Sequence, residues 1–222
     1  MDELNMKSWN QTQNSFSSCQ PVYTGSGDCD LSYDYAFPDY IPDVRRLMYT
    51  SVRCKPISWY PNGSRISYEG EVAVTVLFAG EQGKIGSASF SVPMNGEIDC
   101  GVFPEGTAVS LTPVCETATT RLLNPRKLNV RMHVKTEVSA VAEVSVSPKF
   151  SGNHTVEDEA CLEVDTMQLQ GMHLLHFEEP EISVSEDAEL DATMPAISEI
   201  LCCNIMVIPG ESRISKEQLQ VS

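Results

Sequence analysis

From Leu128 to Val146 every even-numbered residue is apolar or Thr: Leu128, Val130, Met132, Val134, Thr136, Val138, Ala140, Ala142, Val144 and Val146. The alternate positions carry Asn129, Arg131, His133, Lys135, Glu137 and Glu143. A period of two with one dry and one wet face is the pattern of a strand in an antiparallel sheet. Its length predicts either one long bent strand or two strands joined by a bulge. Shorter stretches repeat the pattern. Val72, Val74, Val76 and Phe78 share a face of 65–78, and Ala88, Phe90 and Val92 share a face of 85–92. Residues 49–60 and 108–119 are further strand candidates. Turns are expected at Pro61-Asn62-Gly63-Ser64, at 79–83 and at Asn124-Pro125-Arg126-Lys127, and a loop over 93–106. Pro42 followed by Val44, Leu47 and Met48 has the spacing of one short helix. The expected class is all-β: an antiparallel β-sandwich or open barrel with one short helix.

Part of this pattern occurs twice. Residues 31–52 lie on 184–205 without a gap: Leu31 on Val184, Asp34 on Asp187, Phe37 on Leu190, Pro42 on Pro195, and Val44, Leu47 and Met48 on Ile197, Ile200 and Leu201. After a short deletion, Pro61 to Ser67 matches Pro209 to Ser215. A period of about 150 residues is that of a domain, not of a solenoid unit. The expected plan is a disordered leader over 1–29 and a β domain over 30–146. An acidic linker able to add strands follows over 147–181, and the start of a second, partial copy of the domain over 182–222. Within the linker, 161–167 and 172–177 are the strand candidates.

Charge follows the same division. The net charge is −16, yet residues 35–146 hold 11 acids and 11 bases. Residues 147–222 hold 15 acids against Lys149, Arg213 and Lys216. This distribution disfavours nucleic acid or an anionic membrane as partner. No apolar run approaches the length of a transmembrane helix, and residues 1–20 lack the apolar core of a secretory signal. The chain is therefore expected in the cytoplasm. The eight cysteines form no CxxC pair and are expected as free thiols.

Candidate chemistry is sparse. His173 and His176, three apart on an expected strand, would face opposite ways and could not chelate together. Adjacent Cys202 and Cys203 diverge for the same reason. No Gly-x-Ser-x-Gly or phosphate loop is present, and Glu157-Asp158-Glu159 lies in the acidic linker. No catalytic, cofactor or metal residue is assigned, and no small-molecule substrate is evident. Trp59 and Tyr60 beside a turn offer a sugar-stacking platform or a packed sheet edge, and Arg126 and Lys127 offer a docking point for an acidic partner.

The order of these motifs resembles a known family. Pro-x-[Val/Ile]-x-x-[Leu/Ile]-[Leu/Met] occurs at 42–48 and again at 195–201. A strand, a hairpin and Tyr68-Glu69-Gly70-Glu71-Val72-Ala73-Val74 follow the first occurrence. Asn124-Pro125-Arg126-Lys127-Leu128-Asn129-Val130-Arg131 then opens the long alternating strand. The arrangement is similar to the SPOCS domain of spore-coat-associated proteins in spore-forming Firmicutes. The resemblance implies a non-enzymatic β domain, usually repeated, acting in spore coat morphogenesis through protein partners or self-association. It implies a place on the mother-cell side of the forespore surface. The alternative expectation is a β-sandwich module that binds cell-wall glycan or another ligand outside sporulation.

Overall fold

The computed structural model describes residues 16–146 without a break. After them it describes 171–174, 176–179, 183–185, 187, 189, 191, 193–205, 208, 210–215 and 218–221. Seven strands build the domain: β1 (Phe16–Ala36), β2 (Val44–Cys54), β3 (Ser58–Asn62), β4 (Arg65–Gly80), β5 (Ile85–Asp99), β6 (Ala108–Asn124) and β7 (Lys127–Val146). Two short strands, β8 (Ser212–Ser215) and β9 (Gln218–Val221), pair with each other.

The first sheet has the order β1-β7-β6. In the second, β4 is central, with β5 on one side and β2 and β3 in succession along the other. All pairings are antiparallel. The sheets face each other as an open sandwich, as the alternation demands. The inner face of β7, from Leu128 through Val130, Val134, Val138 and Ala140, packs against Ile66, Val72, Val74, Val76 and Phe78 of β4. Each Val, Leu, Ile or Phe side chain among them contributes roughly 1.5–3 kcal/mol by leaving water. Aromatic rings close one corner: Phe90 stacks between Tyr33 and Tyr35, and Phe37 meets Phe78 edge-on.

Five expectations are corrected. The short helix over 42–48 does not form, and the described residues 195–201 contain none either. Residues 44–54 are β2, and the helical spacing of Val44 and Leu47 has a different cause. The register slips between Val44 and Arg46 and again between Leu47 and Tyr49. Each slip inserts an extra residue, so two side chains three apart both turn inward. Regular helix is absent from the described residues; one 3-10 turn, Glu81–Gly83, lies in the β4–β5 connection.

Residues 16–29, expected as part of a disordered leader, form the first part of β1 along β7. Residues 1–15 lie outside the described part. The stretch looks polar because glycine stands where the inner face would carry side chains. A Cβ on Gly25 would lie 2.3 Å from the Tyr23 hydroxyl, and one on Gly27 2.6 Å from Ile98 Cγ1. The core is filled there from elsewhere: the Tyr23 ring folds back, donates its hydroxyl to the Asp99 carbonyl at 2.8 Å and meets Phe103 edge-on.

The expected strand over 49–60 is two strands. Lys55-Pro56-Ile57 interrupts it, and the Lys55 amide still reaches the Glu71 carbonyl at 2.9 Å. The expected loop over 93–106 starts later, because β5 continues to Asp99 through Pro93. β5 is an edge strand, where the missing N–H of proline is tolerated. In the region expected as a linker, the described residues of 172–177 belong to no strand, and 161–167 lie outside the described part.

Candidate functional site

Arg126 occupies the β6–β7 turn, where its amide donates to Asn124 Oδ1 at 2.8 Å. Its guanidinium does not face a partner; it points back into the β1–β2 connection. There it donates to the carbonyls of Ile41, Phe37 (3.1 Å) and Pro38 (2.8 Å), with Asp39 at 3.4 Å and Asp43 at 3.6 Å. Backbone bonds run alongside, from Phe37 N to Arg126 O and from Val44 N to Pro125 O. One cation thus satisfies carbonyls that neither sheet can pair. Arg126 is a clasp between the sheets, and the docking role expected for it is already occupied by internal contacts.

Lys127 pairs with Asp34 of β1 at 2.8 Å. The Lys127 ammonium and the Asn129 amide hold the Asp34 carboxyl below its ordinary range. Trp59 and Tyr60 are successive residues of β3, so they project to opposite faces. Trp59 packs against the core, and Tyr60 is 55% exposed. They do not form one stacking platform.

The groups that do converge lie on the outer face of the first sheet. β7 runs down its middle and presents Asn129, Arg131, His133, Lys135 and Glu137. The His133 Nδ1 is 2.8 Å from Asp30 Oδ1, and its Nε2 is 3.6 Å from Asp28 and 3.9 Å from Glu116. β1 and β6 thus both send carboxylates to one imidazole. The bond with Asp30, aided by the charges of Asp30, Asp28 and Glu116, raises the pKa of His133 above its ordinary value.

Arg131 and Arg121 differ from their neighbours: among the described residues neither has an ion pair or side-chain hydrogen bond. They share a shallow recess of about 430 Å³, lined also by Asp34, Thr119, Leu123 and Asn129. Arg131 and Thr119 extend into a second recess of about 300 Å³ beside His133. Neither arginine stands out in the linear sequence. The signal is the turn at Pro125-Arg126: folding β6 back on β7 sets Arg121 opposite Asn129 and Thr119 opposite Arg131.

Elsewhere the chemistry is ordinary. His173 pairs with Glu143 and His176 with Glu178, so the two histidines have different partners. The described residues contain no cluster of three metal-ligating side chains. Cys54 lies against the backbone of Cys115, and burial pushes both thiols up, away from the reactive thiolate. The described cysteines are free thiols, as expected. No described helix is long and apolar enough to cross a membrane. No protein-family model, curated protein or solved structure matches the chain.

Proposed function

We propose that this protein is a non-enzymatic assembly component of the SPOCS type, working in the spore envelope through contacts with protein partners or with itself. The observation that carries this reading is the contrast between matched positions of the two sequence copies. Val44 is fully buried, and its counterpart Ile197 is 56% exposed. Ile41 is 8% exposed, and its counterpart Met194 is 62% exposed. Ile200 and Ile205 are exposed as well, where Leu47 and Val52 pack on the core. A segment that carries core-type residues without a core is a surface to be covered on assembly. The alternative, a glycan-binding module, rests on Trp59 and Tyr60. Their opposite orientations on β3 make it the weaker reading.

The test is the position of a fluorescently tagged version in its native host through sporulation. A shell on the mother-cell side of the forespore is expected. Uniform signal throughout cells that complete sporulation would overturn the reading.

A further inference from the structure

Cations are few in this chain, 15 Lys and Arg against 31 Asp and Glu. Five of the eleven cations of residues 35–146 are committed to ion pairs, and Arg53 bonds Asn204. Arg65 pairs with Glu97 and Asp99, Lys55 with Glu71, Lys127 with Asp34, Lys135 with Glu137, and Arg126 serves the β1–β2 connection. Arg121 and Arg131 are the two uncommitted guanidiniums that line one recess. In the register of β6 on β7 they are diagonal neighbours on one face, with side-chain origins roughly 7–8 Å apart. Two guanidiniums at that spacing, each with a fork of N–H donors, can hold one carboxylate between them.

The remaining walls refine the ligand. Thr119, between the arginines on β6, adds a hydroxyl, and Leu123, half exposed, adds an apolar side. Asp34 is the one acid of the recess, and its carboxylate is engaged by Lys127 and Asn129. With Arg121, Arg131 and Lys127 against Asp34, the site keeps a positive balance. His133 and its carboxylates lie one residue pair further along. β6 ends the hydrogen-bonded order of its sheet and β2 packs along that side, so a peptide reaches the recess from the outer face of the sheet.

We propose that Arg121, Arg131 and Thr119 form a docking site for an acidic peptide segment, with a carboxylate seated between the guanidiniums and its aliphatic stem against Leu123. The site is independent of the envelope reading above. A protein with another cellular role would keep it, and a shell around the forespore would not establish it.

The experiment is a titration of the full chain with N-acetyl-tetraglutamate amide, followed by the NMR signals of the arginine Nε–H groups and the backbone amides. Saturable shifts are expected at Arg121, Arg131 and Thr119, weakening as salt is raised. Arg121→Gln and Arg131→Gln should each weaken binding about tenfold or more, the effect of losing one charge-assisted hydrogen-bonding partner. Both side chains are exposed, so the variants should keep the native spectrum. Arg45→Gln, which removes an uncommitted arginine on β2, should leave binding unchanged. A parallel titration with inorganic phosphate separates the sources of oxyanion. Phosphate binding as tight as the peptide, and competing with it, would overturn the peptide assignment. Shifts that are absent, or that survive both substitutions, would overturn the site.

Discussion

At the scale of single residues, buried polar groups decide more than the surface does. Arg126 donates to three carbonyls of the β1–β2 connection; Ala there would strip the donor from those of Phe37 and Ile41, while Pro38 would keep only the Ile41 amide. Arg126→Ala should lower the unfolding free energy by about 2 kcal/mol, read from urea denaturation. Arg126→Lys should recover little, because a single ammonium cannot fork to separated acceptors. Thr136 behaves in the opposite sense. Its hydroxyl is fully buried on the core face of β7, beside Tyr68, without reaching hydrogen-bond geometry. Thr136→Val keeps the shape and removes the stranded polar atom, so it should stabilise by about 1 kcal/mol. A loss of that size would mean that the two hydroxyls close into a bond in solution. For His133 the sign follows from its raised pKa. Its stabilising contribution is complete below the unfolded value near 6.5 and is lost as pH rises through the higher folded value. Proton-detected titration should show His133 titrating above an ordinary histidine, and Asp30→Asn should bring it back down. The surrounding charges are Asp28 and Asp30 on β1, Glu116 on β6, and Arg131 and Lys135 on β7.

At the scale of elements, legibility depended on whether a strand fills its own inner face. β7 does, and its alternation is plain in the sequence from one end to the other. β1 does not. At Gly25 and Gly27 the inner face is empty in the sequence because Tyr23 and Ile98 occupy that space, so the segment reads as polar leader. β2 was obscured differently: two bulges turn Val44 and Leu47 inward at a spacing of three, which imitates a helix. The site had the same difficulty. Arg126 was conspicuous in its turn but works internally, whereas Arg121 and Arg131 become neighbours only through the pairing of β6 with β7. Gly27→Val would place a branched side chain where Ile98 already lies, forcing β1 from β5. It should cost about 1–3 kcal/mol in a urea melt. Ile98→Ala in the same background should return part of that loss, because the two changes share one space.

At the scale of the molecule, residues 31–67 and the stretch 184–215 proposed as their second copy differ in how they are supported. The first lies within seven strands around a shared core. The second is anchored lightly among the described residues: Arg53 donates to Asn204, and Glu199 borders a small recess beside Tyr40 and Lys84. Even its local pairing departs from that of the first stretch. Arg65 opens β4, which pairs back onto β3, whereas Arg213, its counterpart, lies in β8 and pairs forward onto β9. With Met194, Ile197, Ile200 and Ile205 exposed, the segment contributes little apolar burial to the first domain. Removing residues 182–222 should therefore leave the urea midpoint of the sandwich nearly unchanged. It should also reduce both the binding of an apolar dye and any concentration-dependent association measured by sedimentation. Ile197→Ser with Ile200→Ser in the full chain should reproduce the loss of association without truncation. If the midpoint instead falls sharply on truncation, the segment is part of the first domain's own stability. The exposed isoleucines would then cease to mark an assembly surface.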